Sequence, residues 1–354
     1  MKIGYSLSNN QGMEDIQGVI DLAVGAEELG FDSVWASEHV FNVSYVYDRI
    51  GDKPYYEPLT VLTYVAAKTT TIGLGTSVLV LPYHNPIRLA KEVATLDQIS
   101  GGRFLFGVGA GWLRGESEIL GVDFPHRWKQ TREYVNVMKE LWTTDITEFH
   151  GEYIDFPPLV CSPKPVQKPH PPIGVASVSF GSETLKIAGE RGFIPMSLAF
   201  NQEYVISHWE AVMEGAKRSG KTPSRKDWRI TRDVWVADSD DEAYDQAING
   251  MLGRVWGEYL LPLFDQFQLL HVIKHDSEIP DSAVTPEYMA EHVWLIGSPD
   301  TVEKKILSLY EMCGGFGTLL SLVYDNIDNQ KGWEKSMKLL AEEVMPRFAG
   351  MDPD

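Results

Sequence analysis

Short continuous apolar runs alternate with amphipathic stretches along most of the chain. Lys2–Leu7 reads as a strand, and Met13–Leu29, with apolar positions at helical spacing, reads as a helix stopped by Gly30. The alternation continues with strands at Asp32–Ala36, Thr71–Val80 and Arg103–Val108 and helices at Glu57–Thr69, Ile87–Ile99 and Trp128–Trp142. The last of these helices lines up Tyr134, Val135, Val137, Met138 and Leu141 on one stripe. Glu148–Phe156 alternates polar and bulky residues around Gly151, the mark of a small hairpin, and proline-dense Pro163–Pro172 is a stiff extended connector. Further on come strands at Ile173–Ser177, Phe193–Ser197, Arg229–Ala237 and Thr318–Val323. Helices follow at Thr184–Arg191, Glu203–Ser219, Asp300–Met312 and Gly332–Met345, and Asp238–Glu242 opens another with acidic residues at its positive end.

This makes eight strands, each followed by a helix. Apolar runs in a strand–helix alternation imply a parallel sheet, and eight repeats suggest closure into an α/β barrel of the (β/α)8 TIM type, with an open doubly wound sheet as the alternative. Residues 1–354 read as one such unit, without internal repeats or low-complexity tracts. Gly257–Pro286 shows no clear period and carries Pro262, Pro280 and Pro286 among hydrophobic residues. It is expected to be an insertion before the last strand, and a loop of that length in a compact domain is usually functional.

Composition narrows the partners. A net charge of −19 argues against nucleic acid and against an anionic membrane surface. The two cysteines, Cys161 and Cys313, lie far apart with no CxxC, which speaks against a zinc site of that kind or a disulfide framework and suits a reducing cytoplasm. The start of the chain reads as a strand rather than a leader, and no apolar run is long enough to span a bilayer.

Barrel enzymes carry their chemistry at the C-terminal ends of the strands. The residues there are Ser37-Glu38-His39, Pro82-Tyr83-His84, Gly109-Ala110-Gly111-Trp112, the corner Ser177-Val-Ser-Phe-Gly-Ser182, Met196-Ser197 and Tyr324-Asp325. Gly107, Gly109 and Gly111 form a mouth where the backbone can approach something flat or charged, but their spacing is not the G-x-G-x-x-G of a dinucleotide site. Trp112–Pro125 after it reads as a loop with at most a short helix. Trp112 itself reads as core more readily than as mouth. The hydroxyls and N–H groups of Ser177, Ser179, Gly181 and Ser182 suit a phosphate, while Ser182 suits plain helix capping, and both can hold together. His39 is the candidate proton or hydrogen-bond donor, and Glu38 beside it points the other way along an extended chain. The histidines are scattered without HExxH spacing, so no metal is expected, although His271 and His275 could share one helix face. G-x-S-x-G and phosphate-loop motifs are absent.

Six segments together resemble the bacterial luciferase-like superfamily of flavin- or deazaflavin-dependent oxidoreductases. They are Gly30-Phe-Asp-Ser-Val-Trp-Ala-Ser-Glu-His39, Gly73-Leu-Gly-Thr-Ser-Val-Leu-Val-Leu-Pro82, Leu96-Asp-Gln-Ile-Ser-Gly-Gly-Arg-Phe104, Gly107-Val-Gly-Ala-Gly-Trp112, Pro163-Lys-Pro-Val-Gln-Lys-Pro-His-Pro-Pro-Ile173 and Glu343-Val-Met-Pro-Arg347. The resemblance implies a (β/α)8 barrel whose excursion closes over a flavin in its mouth. It implies an acid/base or hydrogen-bonding role for His39 and, at Ser77-Val78, a bulge that is often a cis peptide behind the isoalloxazine ring. Gly109 and Ala110 would line the cofactor, with Ala110 standing where many FMN-using members carry arginine. Ser177, Ser179, Gly181 and Ser182 would form the phosphate pocket with help from Arg127. The front half looks like the F420 enzymes, whereas Glu190–Ser197 and Gly315–Leu322 look like FMN-using luciferases and limonene-type monooxygenases. The resemblance therefore implies a monooxygenase that takes reduced FMN from a separate reductase and uses O₂ to oxygenate a small apolar molecule. An F420-dependent hydride-transfer enzyme and a non-catalytic flavin-binding protein are the alternatives. It also implies a homodimer paired through the helices after strands two and three.

Overall fold

A computed structural model describes residues 1–43, 45–324 and 329–353. Eight parallel strands close into a barrel: β1 (Lys2–Ser6), β2 (Ser33–Ala36), β3 (Gly73–Thr76), β4 (Phe104–Gly109), β5 (Ile173–Ser177), β6 (Ile194–Ser197), β7 (Arg229–Val236) and β8 (Thr318–Leu322). Each pairs with its sequence neighbour, and β8 closes the ring on β1 through Lys2↔Thr318 to Tyr5↔Ser321. The expected barrel, not the open-sheet alternative, is what forms. The main helix behind each strand is α1 (Ile16–Glu28), α2 (Pro58–Lys68), α3 (Pro86–Ser100), α4 (Arg127–Thr143), α5 (Glu183–Arg191), α6 (Gln202–Ser219), α7 (Pro299–Cys313) or α8 (Gln330–Leu339).

The helices begin where side chains satisfy orphan N–H groups. Asp15, Glu57, Asn85, Ser182, Asn201, Ser298 and Asn329 each accept a first-turn N–H. α4 buries the apolar stripe read from the sequence and adds Trp142, whose indole donates to the Ala90 carbonyl at 2.8 Å. The barrel interior is filled by Trp35, Ile194, Met196 and Leu320. Trp35 fits because the neighbouring strand carries Gly75 at that level: a Cβ there would come within 2.4 Å of the indole ring.

Three departures from the sequence reading have physical causes. The third strand is not continuous to Val80. It ends at Thr76, the Ser77–Val78 peptide is cis, and Leu79–Val80 then pairs separately with β4. The connector 163–172 is held by side chains rather than by its own stiffness, with cis peptides before Pro163 and Pro169 and Gln167 bonded to Asp97 and to the Phe104 carbonyl. The insertion between β7 and β8 is largely helical. Helix Met251–Arg254 runs through a π turn at Val255–Leu260 into helix Leu261–Gln266. Pro262 falls in the first turn after the π segment, where its missing N–H is tolerated, so the proline that obscured the helical period does not break the helix. The insertion ends in a three-residue strand, Leu295–Gly297, on β7. The predicted hairpin forms from Thr147–His150 and Asp155–Leu159. Among the described residues no helix is long and apolar enough to cross a membrane, and no three His, Cys, Asp or Glu converge as a metal site.

Candidate active site

The loop after β2 divides its two ionisable residues between different partners, as extended geometry requires. Glu38 is buried, accepts the Val80 N–H at 2.6 Å and meets His84 Nε2 at 2.8 Å. Burial pushes the His84 pKa down, but the bond and charge of Glu38 outweigh it and leave the value raised. This pair fastens the segment after the cis peptide to the loop after β2. Ser37 adds a hydrogen bond to the Ser77 carbonyl, and fully buried Asn9 holds Ser37 and Tyr56 from the end of β1.

His39 turns to the other side. Its Nδ1 lies 3.5 Å from Oε2 of Glu116, an ion-pair distance without hydrogen-bond geometry. Glu116 is only 1% exposed, and its Oε1 accepts the Val40 and Phe41 N–H groups at 2.8 and 3.0 Å. The Tyr83 hydroxyl reaches Oε2 at 3.3 Å. Burial alone would raise the Glu116 pKa; His39 and the two backbone donors overcome it and hold the carboxyl below its ordinary range. An anion beside Nδ1 favours a proton on that nitrogen and leaves Nε2 for an occupant of the mouth. The imidazole lies between Tyr55, ring centroids 5.3 Å apart, and Trp112, 6.3 Å away and edge-on. Trp112 in turn meets Phe267 of the insertion edge-on at 6.4 Å. Trp112 is 48% exposed, so it belongs to the mouth and not to the core, and the insertion reaches the mouth.

Gly107 and Gly109 of β4 and Gly111 just beyond it serve packing more than ligand approach. A Cβ on Gly107 would lie 1.8 Å from the Thr76 carbonyl, on Gly109 2.7 Å from a Val78 methyl, and on Gly111 2.7 Å from Val80. They admit the displaced third strand, and so set Val78 against β4. Ala110 is buried, 1% exposed. Arg127, at the start of α4, donates from Nε to the Gly111 carbonyl at 2.9 Å and from Nη1 to the Phe124 carbonyl at 2.7 Å, with its guanidinium over the Phe124 ring. Register pairs Val108 with Val175, which brings Ala110–Gly111, and Arg127 with them, level with Ser177.

At the β5 corner the capping reading holds: Ser182 Oγ accepts the Leu185 N–H. The Ser177 hydroxyl accepts the Ser179 N–H, so each of these two hydroxyls keeps its own proton to donate. Gly181 has φ of +56°, and its N–H is already taken by Ser207. Fully buried His208 braces the corner by bridging Ser197 Oγ at 2.9 Å and the Ser179 carbonyl at 3.0 Å. Burial pushes its pKa down to about 4, so it serves as a neutral linker. Ser197 also accepts the Trp228 indole, and Met196 fills the barrel, so the β6 end is structural and not part of the mouth. His271 sits in a 3₁₀ turn and His275 stacks on His292, so they share no helix face.

Two groups escape a reading by motif, Glu116 and Asp233, while Tyr83, named with the end of the third strand, gains in Glu116 a partner that the sequence does not show. Glu116 lies in a stretch without period, now the short helix Arg114–Ile119, and nothing in the sequence ties it to His39. Asp233 did leave a signal, as an acid in a buried parallel strand. It is fully buried, neither oxygen has a hydrogen bond of good geometry, and burial, opposed by Tyr324, Arg232 and Trp256, pushes its pKa up to about 7. Asp325 lies outside the described residues.

A barrel whose mouth joins a half-buried histidine to a buried carboxylate, an aromatic rim, a valine wall and a hydroxyl-rich corner one strand away suits an oxidoreductase that takes a flat, phosphorylated heterocycle. The comparisons place it further. The model of the luciferase-like monooxygenases matches residues 1–315. 2,5-Diketocamphane 1,2-monooxygenase 1 of Pseudomonas putida is 30% identical over 97% of this chain and 96% of its own length. The oxygenating constituent of 3,6-diketocamphane monooxygenase from the CAM plasmid of the same species, a type II Baeyer–Villiger monooxygenase solved in complex with FMN, superposes with a TM-score of 0.88. It is 28% identical over 100% of this chain and 99% of its own. An F420-dependent glucose-6-phosphate dehydrogenase of Amycolatopsis mediterranei is 28% identical over 99% of both chains. The chain belongs to the luciferase-like monooxygenase family.

Proposed function

We propose that the protein is the oxygenating component of a two-component monooxygenase, supplied with reduced FMN by a separate reductase and acting on a small apolar substrate that carries a carbonyl group. The FMN-bound diketocamphane relative, alike over the full length of both chains, carries this reading. When bound, reduced FMN would supply the two electrons that send one oxygen atom of O₂ to water and the other to the substrate.

The residues present fit that cofactor. Val78, backed by Gly109, offers a flat apolar wall. Ser177 and Ser182 have hydroxyl protons to give a phosphate, and Arg127 adds charge beside them. His39, with Nδ1 turned to Glu116, presents Nε2 to hold or pass a proton. Trp112 and Phe267 stand half-exposed at the rim, where they would close over a bound flavin and exclude water. The apolar, carbonyl-bearing substrate is inferred from the diketones named for the P. putida relatives and from the aromatic rim. The second copy in a homodimer would pack on α2 and α3, where Tyr64 and Ile99 stand exposed.

The F420-dependent relative supports hydride transfer as a second reading. One experiment separates the two. The protein is titrated anaerobically with reduced FMN and with reduced F420, followed by tryptophan fluorescence, and the FMN complex is then mixed with ¹⁸O₂ and a panel of cyclic ketones. FMN binding with one labelled oxygen in the product is expected. Binding of F420 alone overturns the proposal. His39→Ala should bind FMN about as well as the wild type while losing most turnover, and full turnover would remove His39 from the mechanism.

A further inference from the structure

A second cavity, of about 160 Å³, opens outside the barrel, between β7, α7 and the end of the insertion. Its charged lining is unusual for this acidic chain. Arg232 projects from the outer face of β7 and is fully buried, 3% exposed. Both of its hydrogen bonds leave from Nη1, to the Ala199 carbonyl at 3.0 Å and its own neighbour Thr231 at 2.7 Å. Lys305 of α7 lines the same cavity, its ammonium 3.2–3.4 Å from the carbonyls of Trp294 and Ala290. Among the described residues neither cation has a carboxylate within 4 Å.

Two histidines complete the wall, stacked with ring centroids 4.5 Å apart. The Tyr288 hydroxyl accepts the His275 backbone N–H at 3.0 Å and lies 2.7 Å from Nδ1 of the same ring. The Tyr288 hydroxyl, with two lone pairs and one proton, can pair with Nδ1 in either tautomer, so the Nε2 edge of His275, on the side away from Tyr288, donates to an anion whenever it carries the proton. The one carboxylate of the lining, Glu291, has a side chain 74% exposed and leans toward His292 at 3.7 Å. A buried guanidinium gains from an anion what backbone carbonyls cannot supply, because its planar fork matches two oxygens of one carboxylate or phosphate.

We propose that this cavity is a binding site for a small oxyanion, held by Arg232, Lys305 and His275 and separate from the barrel mouth. Splaying of the sheet creates it: β6 and β7 pair only through Arg229 and Ile230, and Arg232 stands in the gap above them. The oxyanion can be inorganic phosphate, the phosphate of a metabolite, or a carboxylate.

Calorimetric titration with phosphate, sulfate and acetate tests this on both flavin-free and FMN-saturated protein, with ionic strength matched by chloride. Saturable one-to-one binding in both forms is expected. A preference for phosphate and sulfate assigns a tetrahedral ligand, and a preference for acetate assigns a carboxylate. Lys305→Gln should weaken binding by about tenfold, the loss of one charge-assisted bond, and Glu291→Gln should tighten it by roughly twofold to threefold through removal of a screened like charge. The gain in Glu291→Gln separates a true site from a variant that merely folds badly. Absence of saturable binding, binding unchanged in both variants, or loss of binding on FMN saturation would each overturn the proposal.

Discussion

Glu116→Gln would test the histidine–carboxylate pair with almost no change of shape. In the wild type Oε1 takes the Val40 and Phe41 N–H groups, while Oε2 faces His39 and Tyr83. The glutamine carbonyl must replace Oε1, because two donors point there, so the amide nitrogen is forced toward His39. Nδ1 then becomes an acceptor, and the imidazole carries its proton on Nε2, the wrong tautomer for a group that must present a lone pair to the mouth. Positioned acid–base groups contribute about 10²–10⁴-fold to rate, and a variant that keeps the imidazole but misorients it should lose about 10- to 100-fold in kcat. KM and FMN affinity should hold. Stability falls as well: two charge-assisted bonds become neutral ones, a difference of about 1 kcal/mol each, or roughly 2 kcal/mol in all. Because the folded Glu116 pKa is depressed, its contribution is complete above the ordinary value of 4.5 and is lost as pH falls through the folded value beneath it. Urea unfolding should therefore show a constant gap between variant and wild type at pH 6–8 that closes in acid. Stopped-flow turnover with FMN supplied reduced reads the rate. A wild-type kcat, or a stability gap that persists unchanged below the carboxylate range, would refute the reasoning.

Asp233→Asn should act with the opposite sign. The folded carboxyl titrates near 7 against an ordinary 3.8, so the native state binds more protons than the unfolded one between those values and loses stability as pH rises through about 7. The asparagine variant should match the wild type near pH 4 and exceed it at pH 8 by up to about 4 kcal/mol, three pKa units' worth, as denaturant midpoints would show; equal midpoints at pH 8 count against it. Gly75→Ala drives a methyl to within 2.4 Å of the Trp35 ring and should cost about 3 kcal/mol or more, measured by thermal unfolding. Ser182→Asp retains a good helix cap but sets a negative charge at the β5 corner, so stability should hold while reduced FMN binds at least about tenfold more weakly, and unaltered FMN affinity would move the phosphate elsewhere.

The parts of this fold legible in the sequence are those set by local periodicity. The eight barrel strands register as short continuous apolar runs, the eight helices behind them as runs of period 3.6 and the hairpin as an alternation around Gly151, and the cap at Ser182 registers as a polar residue before such a run. Pro262 hid the helix at 251–266 because only the π turn before it, a tertiary accommodation, lets the residue stay. The glycine mouth suggested ligand approach, whereas two of its three close contacts are with the residues around the cis peptide, a strand away in space and about thirty residues away in sequence.

The site divides along the same line. His39, Ser177 and Ser182 could be placed because a barrel fixes where strand ends go, and each ends its strand or opens the next helix. Their partners could not. Glu116 reaches His39 across 77 positions through a short irregular helix, His208 reaches Ser179 from the buried face of α6, and Phe267 arrives from the insertion. Each arm is a loop or helix whose sequence obeys its own local rules, and the barrel brings the arms together at one end. Strand ends therefore carry the groups that would meet the cofactor, while the elements after them supply the charge and bracing that decide protonation. Substitutions at strand ends should then move turnover or cofactor affinity at constant stability, and substitutions of their partners should move both together. Ser182→Asp and Glu116→Gln sit on either side of that divide, and a Glu116→Gln protein with lost turnover but wild-type stability would show the divide to be drawn in the wrong place.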